Sequence, residues 1–188
     1  MFNQLKNYLK NLPGWRTDRK IIVIHSDDWG SIRMPSLNIR KKLDKHPLIT
    51  ADDPYCWNDT LATSEDLDAL FRVLRSVRDK NGNHAVITAN VLVANPDFEA
   101  IKEDGYQKYY YESISNTFKR YSNESALEYW RHGTAEKIFV PQFHGREHVN
   151  VPFWMDRLKR NHPGVKYAFD YNVFAVTFNN LGLRKPNF

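Results

Sequence analysis

Apolar residues recur along this chain in two rhythms, short unbroken runs and a three-and-four spacing. Four consecutive β-branched residues, Ile21, Ile22, Val23 and Ile24, preceded by Arg19-Lys20, predict a strand over 20–25. Such a run fits a strand buried on both faces, as in a parallel sheet flanked by helices. The apolar stretches at 84–93 and 137–143 predict two more strands. Between the first two, Leu67, Leu70, Phe71, Leu74 and Val77 repeat at helical spacing behind the capping sequence Thr63-Ser64-Glu65-Asp66, with Asn81-Gly82 closing the helix. Ser36 caps another helix running to about residue 45, and Pro152 opens one that runs to about residue 161, where His162-Pro163-Gly164 breaks it. The stretches 165–169 and 173–178 read as two short strands or one interrupted strand. At the start, Leu5, Leu9 and Leu12 among lysines predict a short basic amphipathic helix ended by Pro13-Gly14.

The remaining segments are polar. Residues 47–59, with Pro47, Pro54 and Asp52-Asp53, read as a loop over the strand ends, whose Tyr55 and Trp57 either stack on a sugar or pin the loop to the core. Residues 95–136 are polar and rich in tyrosine, including Tyr106, Tyr109, Tyr110 and Tyr111, and read as an insertion containing a helix over 124–132. Its aromatics form either a carbohydrate-binding wall or the packing surface of a lid. The alternation of strands and helices predicts an α/β fold with parallel strands, in a single domain spanning 1–188.

Chemistry gathers where two predicted strands end. The first leads into His25-Ser26-Asp27-Asp28-Trp29-Gly30, and in α/β folds ligands sit at the carboxyl ends of the strands. Two adjacent carboxylates repel each other, so the pair calls for a cation or a shared proton. The later strand leads into Phe143-His144-Gly145-Arg146-Glu147-His148. Two imidazoles four residues apart, joined by one carboxylate, make the N,N,O set that suits zinc and leaves a position open for water. Thr88 and Asn90, polar among apolar neighbours, are core hydrogen-bonders or point toward this site, while His25, His46, His84, His132 and His162 lack partner spacing.

The Asp-Asp-x-Gly after one strand and the His-x3-His after a later one resemble, in order, the first two motifs of the NodB-homology polysaccharide deacetylases. The Asp-Asp-Trp-Gly form is also similar to the YdjC-like sugar deacetylases. The resemblance implies a distorted parallel (β/α) barrel, with Asp27 as catalytic base and Asp28, His144 and His148 as ligands of a divalent metal, Zn²⁺ above all. The implied reaction is removal of acetyl groups from an amino sugar or polysaccharide, with metal-activated water as nucleophile. Arg184-Lys185-Pro186 resembles the family's third motif, in which Arg184 would orient the base. Only four or five strands are legible where the family's barrel has more, and no histidine after His162 matches its general acid. The resemblance therefore implies the amino-terminal part of a longer domain, with association into a homo-oligomer through unpaired strand edges.

Two other readings stay open. His144 to His148 also spells the H-x-x-E-H of inverted zinc metallopeptidases, with Glu147 as base, a motif that belongs inside a long helix. A glycan-binding remnant would keep the site without turnover. Composition excludes some classes: the 27 basic residues are scattered among 22 acidic ones, so the net charge of +5 reads as solvation rather than a nucleic-acid surface. No glycine-rich phosphate loop occurs. The amino terminus lacks the continuous apolar core of a signal peptide or membrane span. The lone Cys56 excludes an internal disulfide framework and suits a reducing, cytoplasmic setting.

Overall fold

The computed structural model describes residues 6–7, 9–10, 12–50, 54–121, 123–175 and 177–178. Strand β1 is Ile24–Trp29. Helix α1, Leu37–Leu43, starts where the Ser36 hydroxyl accepts from the Ile39 amide. After β2, Ile49–Thr50, comes the short helix α2, Pro54–Asn58. Helix α3, Ser64–Ser76, opens on a capping box in which the Thr63 and Asp66 side chains each take the other's backbone N–H. Strand β3, Ile87–Leu92, runs almost directly into β4, Ala94–Pro96. Then follow α4, Phe98–Glu103, β5, Tyr111–Ser113, α5, Ile114–Arg120, and α6, Glu124–Ala135. The described chain finishes with β6, Phe139–Gly145, α7, Val151–Lys159, α8, Pro163–Phe169, and β7, Thr177–Phe178.

The fold is α/β. Its centre is a three-stranded parallel sheet in the order β1-β3-β6. Two small antiparallel pairs, β2 with β7 and β4 with β5, flank it. The described residues form no closed barrel.

One face of the sheet is sealed by α3, α5 and α6. Leu67, Phe71 and Leu74 of α3 meet Ile87, Ala89 and Val91 of β3 and Phe139 of β6. Alternation along β3 puts Ile87, Ala89 and Val91 inward and leaves Thr88 and Asn90 half-buried. Helix α6 lies so close to its neighbours that a Cβ on Gly133 would come within 2.5 Å of the Phe71 ring and 2.8 Å of Phe139 Cβ. A second core gathers Trp154, Met155 and Leu158 of α7 with Phe98, Ile101, Val165, Phe169 and Phe174. Residues 29–34 bridge the two: Trp29 and Ile32 belong to the first cluster and Met34 to the second.

Several expectations change. The first strand begins at Ile24 rather than near residue 20, because pairing with β3 starts at Ile24 opposite Ile87. It is not buried on both faces: among the described residues β1 is an edge strand, and Ile22 and Val23 before it are 87% and 73% exposed. Residues 165–169 are helix, not strand; His162 caps α8 and Pro163 sits in its first turn. The segment 47–59 holds β2 and α2, with Trp57 buried in the second core and Tyr55 exposed, so only the pinning role survives for Trp57. The tyrosine-rich stretch 95–136 is the β3-to-β6 crossover, two of whose helices cover the sheet. Arg184 lies outside the described residues.

Candidate metal centre

Both halves of the candidate site sit on irregularities of the parallel sheet. Ser26 pairs with Ala89 and Trp29 with Val91, so β1 spends one residue more than β3 across the Asp27-Asp28 step. Likewise Val91 pairs with Phe143 and Leu92 with Gly145, leaving His144 as the extra residue of β6. Such bulges re-aim side chains that the pleat would otherwise send to alternate faces. Asp28 itself adopts φ 65, a left-handed conformation that aspartate tolerates better than most residues. The chain then turns sharply: the Ser31 amide donates to the Asp28 carbonyl at 3.1 Å, and Gly30 has φ 88. A Cβ on Gly30 would meet Ile114 Cδ1 at 2.3 Å and the Leu92 carbonyl at 2.8 Å, so only glycine fits this turn.

The bulges bring three of the residues singled out in the sequence to one point. Asp28 Oδ1 lies 3.0 Å from His148 Nδ1 and 3.5 Å from His144 Nε2, and one ligand atom from each residue falls within 4.8 Å of the others. Atoms 2.0 to 2.2 Å from a tetrahedral zinc would stand roughly 3.3 to 3.6 Å apart, so small side-chain shifts would let one ion reach all three residues. Asp28 Oδ1 is buried, yet no hydrogen bond reaches it. A buried carboxylate oxygen facing two imidazole nitrogens can be satisfied by a proton carried on an imidazole or by a cation held among the three. All three side chains are only partly covered, with Asp28 at 21%, His144 at 30% and His148 at 37% exposure, so one side stays open to ligand. Beside Asp27 and Asp28 opens a cavity of about 290 Å³, also lined by Ser26, Asn58, Asp59 and Leu61.

Asp27 takes no part in this triad. Its side chain is half exposed, and the Asn90 amide donates to its Oδ1 at 2.5 Å. That hydrogen bond, with smaller contributions from the imidazoles of His144 and His25, holds the Asp27 carboxyl below the usual aspartate value. It is therefore ionised at neutral pH.

The histidine segment is strand end and loop, not helix: His144 lies within β6, and residues 146–150 are irregular. Two backbone bonds, from the Val93 amide to the Gly145 carbonyl at 3.2 Å and from Ala94 to Arg146 at 2.8 Å, pin it to the end of β3. Arg146 grips the Glu147 carboxylate with two hydrogen bonds of 2.5 and 2.7 Å, and its guanidinium carbon lies 4.4 Å from the Tyr111 ring centre. Glu147 is thereby buried, with 7% of its side chain exposed, and engaged by Arg146.

Sequence reasoning passed over two supporting residues. Arg33 is buried and bonds Asp28; Asn95, also buried, accepts from the Ile32 amide and donates to the Gly30 carbonyl, fixing both sides of the turn. Asn90, one of the two polar residues of β3 that the sequence placed either in the core or toward the site, donates to Asp27. The signal for Arg33 was a cation between Ile32 and Met34, since a guanidinium in an apolar stretch needs a carboxylate partner. Comparison with family models, with curated proteins and with solved structures yielded no match to this chain. Among the described residues no helix is long and apolar enough to cross a membrane.

Proposed function

We propose that this chain carries the active centre of a metal-dependent carbohydrate deacetylase, removing acetyl groups from an amino sugar or polysaccharide. The observation that supports it most is the convergence of Asp28, His144 and His148 around one unsatisfied carboxylate oxygen, with the ionised Asp27 next in the chain. In this reading Asp28, His144 and His148 hold the ion. An ion held there would supply a Lewis acid, able to lower the pKa of a bound water toward about 7 and to polarise an acyl oxygen. Asp27 would accept a proton from the water that attacks the acyl carbon. That proton would pass to the leaving sugar amine or hydroxyl as the C–N or C–O bond breaks and acetate departs; Asn90 would orient the receiving carboxylate. The sheet β1-β3-β6 is then read as part of a distorted (β/α) barrel with the site at its strand ends. The metallopeptidase alternative would need Glu147 beside the water, whereas Arg146 holds that carboxylate buried.

The test combines zinc stoichiometry with acetate release from acetylated chito-oligosaccharides in added Zn²⁺ or Co²⁺. One zinc per chain is expected in the wild type and a large loss on Asp28→Asn or His148→Ala. A wild type that takes up no zinc at micromolar concentration rejects the reading. Zinc and sugar binding without any acetate release would instead select a glycan-binding role.

A further inference from the structure

We infer that Arg33 is a positioning residue for the metal centre, fixing Asp28 so that it offers a single oxygen to the ion; this rests on the deacetylase reading above. The two oxygens of Asp28 have different surroundings. Oδ2 accepts a hydrogen bond from an Arg33 terminal nitrogen at 2.7 Å, while Oδ1 faces the two imidazoles and accepts none. With Oδ2 turned to Arg33, a cation among the three residues would meet Asp28 first through Oδ1. One-oxygen binding would leave room for water or the acyl oxygen.

Arg33 is itself held on the far side. Its other terminal nitrogen lies 3.5 Å from Asp59 Oδ2, and the Arg33 and Met34 amides donate to the Asp59 carbonyl at 3.2 and 2.8 Å. Side chain and backbone thus tie the same two residues together, and the guanidinium is only 3% exposed. A planar fork between two carboxylates fixes direction as well as charge, which a lysine ammonium cannot reproduce. Partners one layer out from a metal commonly change its affinity by about 10- to 100-fold when removed. Their effect comes through the ligand's orientation and basicity.

The plain alternative is that Arg33 only stabilises the fold, as a buried ion pair can. The two roles separate in a zinc titration. Zinc affinity is measured by competition with a chromophoric chelator for the wild type, Arg33→Gln, Arg33→Lys and Asp59→Asn, alongside circular dichroism and the thermal midpoint with and without zinc. A positioning role predicts a dissociation constant raised about 10- to 100-fold in Arg33→Gln, partial recovery in Arg33→Lys and a smaller rise in Asp59→Asn. The zinc-induced rise in thermal midpoint shrinks in the same order, because ligand stabilisation follows the ratio of free zinc to the dissociation constant. If Arg33→Gln does not fold, Arg33→Lys carries the test, with a several-fold weaker constant expected. A folded variant at Arg33 that binds zinc as tightly as the wild type overturns the inference and leaves the deacetylase reading standing. A wild type without zinc affinity overturns both.

Discussion

Asp27 and Asp28 are adjacent in the chain and differ in nearly every physical respect. Asp28 is covered, turned into the left-handed region and set against two imidazoles and a guanidinium, whereas Asp27 is half exposed and held by one amide. Identical side chains are therefore expected to fail differently. Asp27→Asn should keep about one zinc per chain and lose acetate release by roughly 100-fold or more, the share a positioned base contributes. Asp28→Asn should lose zinc itself, since the amide oxygen carries no charge to offset the ion. Glu147→Gln should leave turnover nearly unchanged and lower thermal stability, because that carboxylate anchors Arg146 rather than facing the cavity. Zinc analysis and acetate assay on the three variants check this, and a Glu147→Gln protein that keeps its zinc but loses activity would move the base to Glu147. That the Asp27-Asp28 pair and the His144/His148 pair belong together was legible from residue types and spacing; that Asp28 rather than Asp27 joins the imidazoles followed only from the family resemblance. Arg33 and Asn95 were not, because their roles depend on which carboxylate and which carbonyl the folded chain puts in reach.

At the scale of elements, legibility followed how local the deciding signal was. The capping box of α3 and its apolar stripe lie within one helix, and that helix was read with its start correctly placed. The bulges at Asp27-Asp28 and at His144 depend on register between strands far apart in sequence, which no local pattern encodes. Helix α8 was missed for a different reason: Val165 to Phe169 is too short an apolar run for periodicity to decide, and the deciding signals were His162 and Pro163 ahead of it. His162 caps α8 as an acceptor, taking the Val165 amide on Nδ1 at 3.3 Å. Burial, aided by the nearby Arg157 charge, lowers its pKa from the ordinary 6.5. A lowered histidine pKa means that the folded state binds fewer protons than the unfolded one. Its contribution to stability is present above 6.5 and is lost as pH falls below that value and through the folded pKa. The thermal midpoint should therefore drop from about pH 7.5 to about pH 5 by more in the wild type than in His162→Asn, whose amide oxygen caps without titrating. Equal drops in the two proteins would remove His162 from the pH response.

For the whole molecule, the parallel sheet is covered on one face and has an unpaired strand on either side among the described residues. Strand β1 is one of those edges, and the residues leading into it make a continuous apolar strip: Ile21 is 50% exposed, Ile22 87%, Val23 73% and Ile24 42%. The other edge, β6, presents Phe143 at 76% exposure. Edge strands present free backbone donors and acceptors, and proteins usually blunt them with charge, proline or a covering element. Around β1, Arg19 and Lys20 lie before the strip and Asp27 after it, so its middle carries no such protection. Burying even half of each exposed Ile22 and Val23 side chain between two copies would recover on the order of 1 kcal/mol per residue, and strand pairing would add backbone hydrogen bonds. Association through this strip is thus expected to grow with concentration. Size-exclusion chromatography with light scattering, run from about 5 to 200 µM, should show a rising average mass for the wild type and a smaller one for Ile22→Lys/Val23→Lys, since a lysine pair at a strand edge opposes its own copy. Zinc affinity should be the same in both proteins, because the strip and the Asp28 carboxylate are separate features of β1 and its approach. A wild type that stays monomeric throughout, or a double-lysine variant that associates as strongly, would mean that the strip takes no part in pairing between copies.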